Sequence, residues 1–98
     1  MIYYVTHKYD GSAHDVEQAI EVCSELQHED MNNCYVCPIF AFSHLSPDEI
    51  SDDDLTELRL DLLSVCDVLI VATKPDRIMR QEIAFAERIG MEIDRLEY

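Results

Sequence analysis

The segment from Asp67 to Gly90 constrains this chain most, because it spells one strand, one turn and one helix in succession. Asp67-Val68-Leu69-Ile70-Val71-Ala72 is a short apolar, β-branched run, the composition of a strand buried on both faces. Thr73-Lys74-Pro75-Asp76 interrupts it. A helical pattern follows, in which Ile78, Phe85 and Ile89 share one face with Met79, Ile83 and Ala86 beside it. Glu82 falls inside that seam, four residues after Ile78 and three before Phe85. A carboxylate on a core-facing stripe is costly unless it is paired or lines a cavity. Glu82 is therefore the leading candidate for a functional residue.

The same alternation runs through the rest of the chain. Ile2–Thr6 has the pattern of a strand, and the loop His7–Ser12 after it contains Gly11, the only glycine before Gly90. Val16, Ala19, Ile20, Cys23 and Leu26 recur at helical spacing and predict a helix over Ala13–Gln27. Cys34–Phe40 has a strand pattern. After the loop Ala41–Leu45, Ser46-Pro47-Asp48-Glu49 is a capping box with proline at the first helical position, which predicts a short helical turn. Ser51-Asp52-Asp53-Asp54 opens a longer helix over Asp52–Ser64, with Leu55, Leu58, Leu62 and Val65 as its core stripe. The third helix spans Arg77–Ile89 and is stopped by Gly90. Met91–Leu96 then predicts a fourth strand. Strands alternating with helices indicate βαβ units, hence an α/β protein with a parallel sheet and helices on both faces. Residues 1–98 are expected to form a single domain.

Composition narrows the function. The formal charge of −14, from 21 acidic and 7 basic residues, excludes a nucleic acid as main partner, since phosphate neutralisation needs Lys and Arg. No apolar run approaches the roughly 20 residues that span a bilayer, so no membrane association is expected. Met1–Thr6 lacks a basic region and cleavage site, and the expected location is cytoplasmic. The few cations are unevenly spread. Lys8, Lys74, Arg77 and Arg80 lie in or just after two turns that each follow a strand. In a parallel sheet the His7–Ser12 loop, the Phe40–Leu45 loop and the Thr73–Arg77 turn share the ligand-binding edge, and the cations there suggest a small bound anion. Cys23, Cys34, Cys37 and Cys66 read as buried reduced thiols, because the Cys34-x-x-Cys37 pair lies in a strand pattern rather than at a helix start. His7, His14, His28 and His44 lack metal-ligand spacing, and no metal is expected.

Three stretches carry a family resemblance: Tyr3-Tyr4-Val5-Thr6 leading to Tyr9-Asp10-Gly11, Leu62–Val71 with Cys66-Asp67 at its centre, and Glu82-Ile83-Ala84-Phe85-Ala86 running on to Ile93. Their order resembles the nucleoside 2-deoxyribosyltransferase-like superfamily, and looks most like its small, often phage- or prophage-encoded members. The resemblance implies a flavodoxin-like three-layer α/β/α sandwich with a mostly parallel sheet of four to five strands, a homodimer or higher homo-oligomer, and no cofactor. It implies a nucleoside or nucleotide ligand, and places Glu82 where related enzymes carry the nucleophile that attacks the anomeric carbon. Lys8, Arg77 and Arg80 would suit a 5′-phosphate, and Arg80 or Lys74 would keep Glu82 charged. The resemblance also brings Tyr4, His7, Lys8, Tyr9, Gly11, Lys74, Asp76, Arg77 and Arg80 forward as substrate-binding residues. Tyr3 and Tyr4 point to opposite faces of their strand, and Tyr4 is the one expected near the pocket.

The chain also departs from the family pattern. His7-Lys8 replaces a small first-loop pair, and Asp76-Arg77-Ile78 replaces a Ser-x-Gly. Arg59, eight residues before Asp67, stands where family enzymes carry an aspartate. Three functions follow. The first is cleavage or transfer of an N-glycosidic bond by Glu82. The second is a non-catalytic nucleotide-binding or sequestering module of the same fold. The third is a protein that interacts through its acidic Asp52–Asp54 face.

Overall fold

The computed structural model describes residues 1–97. Its elements in chain order are β1 (Ile2–Thr6), α1 (Ala13–Glu29), β2 (Cys34–Val36), α2 (Pro38–Ala41), α3 (Asp52–Ser64), β3 (Val68–Val71), α4 (Arg77–Arg88) and β4 (Glu92–Arg95). The four strands form one sheet in the order β2-β1-β3-β4, and every neighbouring pair is parallel. The expected α/β class and flavodoxin-like layering are what the chain adopts.

The strand pleat sorts the core into two layers. On one face Tyr4, Leu69 and Val71 pack with Leu63 and Cys66 at the end of α3 and with Met79, Ile83 and Ala86 of α4. On the other, Val5, Val68 and Ile70 pack against Val22, Cys23 and Leu26 of α1. Tyr3 also lies on this second face and stacks on Tyr35, with ring centroids 4.8 Å apart. β1 and β3 are the inner strands, which is why Val68–Val71 is buried throughout and reads as a continuous apolar run.

Three helices begin on side-chain caps. Ser12 accepts from the Asp15 amide, Ser51 from that of Asp54 and Asp76 from that of Met79, and each such cap stabilises by about 1 kcal/mol. Gly11 has φ +93° and Gly90 φ +75°. A side chain at either would be strained even though both face open space.

Several boundaries and faces differ from the sequence reading. The second strand stops at Val36 rather than Phe40, because Pro38 has no N–H for the ladder and instead occupies the first turn of α2, with Cys37 as the extended N-cap. Ser46–Glu49 forms a single turn closed by the Glu49 amide on the Ser46 carbonyl, not a helix. Along α3 the inward stripe is Arg59, Leu63 and Cys66, whereas Val65 is 66% exposed. In α4 the buried stripe is Met79, Glu82, Ile83 and Ala86, and Ile89 turns to solvent. Of the four thiols only Cys37 and Cys66 are buried. Cys23 is half-buried and Cys34 exposed, since β2 is an edge strand. No helix among the described residues is long and apolar enough to cross a membrane.

Candidate functional site

Glu82 has no exposed surface. It sits on the inner face of α4 beneath β1, and the pleat of β1 aims Tyr4 and Thr6, two residues apart, at it. Oε1 accepts from Thr6 Oγ1 at 2.6 Å and from Arg59 Nη2 at 2.9 Å. Oε2 accepts from Arg59 Nε at 3.0 Å and from the Tyr4 hydroxyl. Arg59 reaches across from α3, grips the carboxylate through two nitrogens and also donates from Nη2 to Thr6 Oγ1 at 3.2 Å. A carboxylate offers about four lone-pair sites, and here each oxygen has two donors.

The electrostatics follow from burial. Burial works against charge on the Arg59 guanidinium, but the Glu82 carboxylate and Tyr4 outweigh it and hold the group above its ordinary range. Burial, and then the neighbouring carboxylate, push the Tyr4 phenol upward, so Tyr4 stays protonated and donates. No buried side-chain nitrogen or oxygen among the described residues lacks a partner. Such a network is stable because it is complete.

Beside this network opens a cavity of about 530 Å³, within the range of small-molecule sites. One end is formed by Tyr9, Asp10 and Gly11 after β1 and by Asp76 at the start of α4. These two segments are tied together by the Tyr9 amide on Asp76 Oδ2 at 3.3 Å. The apolar part of the other walls comes from Ile39 and Phe40 of α2, Phe42 after it, Leu55 of α3 and Ile78 of α4, with Ser43, Ser46 and Asp52 beside them. Arg59 is the link between network and cavity, because it lines the cavity while gripping Glu82.

The structure brings only some of the sequence-predicted residues together. Tyr4 and Glu82 meet in the network; Tyr9, Gly11 and Asp76 line the cavity. His7 is buried under its own loop, with Nδ1 on the Lys8 carbonyl at 2.7 Å. Lys8, Lys74, Arg77 and Arg80 are exposed, and none of them lines the cavity. Arg77 pairs with Asp52 at 3.6 Å and Arg80 donates to the Pro75 carbonyl at 3.2 Å. The cation that balances Glu82 is Arg59, not Arg80 or Lys74. Sequence reasoning did not place Arg59 and Thr6 in the network, nor Ile39, Leu55 and Ile78 at the cavity. Arg59 follows Leu55 by one helical turn, but leucines on several sides of α3 leave no single seam against which it stands out.

Among solved structures, the chain matches the 2-desoxiribosyltransferase from Leishmania mexicana with a TM-score of 0.69 and 13% sequence identity, over 97% of this chain. The fold is that of a 2-deoxyribosyltransferase. The chain spans 63% of the length of that relative. No protein-family model and no curated protein matches it. In the deoxyribosyltransferase-like fold described here, the cavity lies at the carboxyl ends of β1 and β3, where open α/β sheets bind ligands.

Proposed function

We propose that this chain binds a nucleoside-class small molecule in the cavity beside Arg59 and does not cleave it, Glu82 serving as a clamp on Arg59 rather than as a nucleophile. The observation that carries this reading is the complete saturation of a fully buried carboxylate: each Glu82 oxygen accepts two hydrogen bonds. A carboxylate nucleophile needs a free lone pair directed at the reacting carbon, at about 3–3.5 Å in a near-attack geometry. Arg59 and Thr6 occupy Oε1, and Arg59 and Tyr4 occupy Oε2. The nucleoside class is supported by the shape likeness to an enzyme titled a 2-desoxiribosyltransferase. It is supported too by a cavity that joins aromatic and aliphatic walls, suited to a base, to carboxylates at Asp10 and Asp76, suited to sugar hydroxyls. A homodimer or higher homo-oligomer belongs to the same proposal, and sedimentation velocity checks it; a monomer throughout the micromolar range would remove it.

The test is base release. Purified protein is incubated with ribo- and deoxyribonucleosides and their 5′-monophosphates, free base is followed by chromatography, and ligand binding is followed by calorimetry. Binding without free base is the expected result. Release that disappears in Glu82→Gln would overturn the clamp and establish the second reading, an N-glycosidase or deoxyribosyltransferase. That reading is favoured by one observation, the Tyr4 hydroxyl lying directly on the carboxylate.

A further inference from the structure

Resting on the nucleoside-binding reading above, the geometry points to a specificity device. We infer that the free edge of Arg59 reads an uncharged oxo group on the base of the bound ligand. Three of the five guanidinium N–H donors have an account: Nε donates to Glu82, and Nη2 donates to Glu82 and to Thr6. Nη1 has no partner among the described residues. Arg59 is only 6% exposed, yet it lines the cavity. Every buried side-chain nitrogen among the described residues has a partner, so the unpartnered Nη1 belongs to the open part of a side chain that lines the cavity.

The orientation of that edge is fixed before any ligand arrives. A free arginine has many rotamers, but this one is held by two nitrogens on a buried carboxylate that is itself held by Tyr4 and Thr6. Pre-organised donors discriminate well, because a ligand lacking the acceptor leaves buried N–H groups unpaired.

Charge decides what kind of acceptor fits. The Arg59 charge is already balanced by Glu82. Of the seven Lys and Arg residues only Arg59 lines the cavity, whereas Asp10, Asp52 and Asp76 all do. An anionic ligand would meet net repulsion, so a neutral carbonyl oxygen is the acceptor that gains the hydrogen bond without that cost. The neighbours of Arg59 within the cavity, Leu55 one turn earlier on α3 and Ile39, Phe40 and Ile78, are apolar. The flat part of the ligand belongs there, and the hydroxyl-bearing part belongs at Asp10 and Asp76. A base that presents an amino group at the same position offers a donor to a donor and is rejected.

Calorimetric titration with matched pairs tests this: uridine against cytidine, and inosine against adenosine, the members of each pair differing by an oxo or an amino group at one ring position. The oxo member is expected to bind roughly ten- to a hundred-fold tighter, the discrimination of a well-formed polar contact to a base edge. In the double variant Arg59→Met with Glu82→Met, which removes both charges together, the two affinities within each pair are expected to become equal. Circular dichroism confirms that the variant is folded. If no nucleoside binds the native protein, the nucleoside-binding reading fails and this inference with it. If nucleosides bind with equal affinity within each pair, or the preference survives in the folded double variant, the binding reading stands and the role of Arg59 is overturned.

Discussion

Glu82→Leu alone is expected to destabilise the fold by about 3–5 kcal/mol, and adding Arg59→Met to it is expected to recover most of the loss. The asymmetry comes from desolvation. Arg59 and Glu82 are 6% and 0% exposed, so their charges are removed from water and compensated almost wholly by each other. Taking away the carboxylate leaves a buried guanidinium with only neutral hydroxyls beside it, Thr6 Oγ1 and that of Tyr4, and deprives the Tyr4 hydroxyl of its acceptor. Taking away both charges replaces the pair by apolar groups of similar volume, which is often neutral or stabilising. Urea unfolding of the two single variants and the double variant closes a double-mutant cycle. A coupling energy near zero would mean that the pair does not act as a unit, and would remove the clamp on which the proposed function depends. For a 98-residue domain, whose stability is expected to be only about 5–15 kcal/mol, the single variant stands near the limit of folding.

Leu63→Ala is expected to cost about 2–5 kcal/mol, the range for emptying a packed leucine site, while Val65→Ala is expected to stay within about 0.5 kcal/mol. Leu63 is fully buried against the α3/α4 face of the sheet, and Val65, two residues later, is 66% exposed. The same urea experiment measures both. Equal costs would mean that α3 presents a different face to the sheet, which would also move Arg59 away from Glu82.

That comparison shows where the sequence was legible and where it was not. The order of strands and helices, and the burial of Val68–Val71, could be read from apolar runs and their spacing, because a buried parallel strand has few compositional alternatives. The inward face of α3 could not. Leu55, Leu58, Leu60, Leu62 and Leu63 surround that helix with apolar side chains, so periodicity alone leaves its rotation ambiguous. In the fold the inward face carries both the buried Leu63 and Arg59, the latter paired with a residue 23 positions away. Glu82 stood out because its helix has one clear seam. Arg59 did not, because its helix has leucines on several sides. The end of β2 was lost for a different reason: Cys34–Phe40 alternates like a strand, and only the placement of Pro38 decides that the ladder stops. The cavity was legible at its loops, Tyr9–Gly11, Phe40–Leu45 and Asp76, and not at the helix positions Leu55 and Ile78. The one motif between β2 and α3, Ser46-Pro47-Asp48-Glu49, predicts a helix start and says nothing of a cavity wall.

The hydrogen bond between Tyr4 and Glu82 joins positions 78 residues apart, and that between Thr6 and Glu82 joins positions 76 apart. During synthesis, then, the first strand leaves the ribosome long before its acceptor exists. Until α4 has been made and docked, two hydroxyls and the guanidinium of Arg59 must remain hydrated, because no earlier segment supplies a buried carboxylate for them. Closing so long a loop is entropically expensive and rewarded only late. The network around Arg59 therefore closes only once α4 is in place. A chain truncated before α4 lacks Glu82 and cannot close this network.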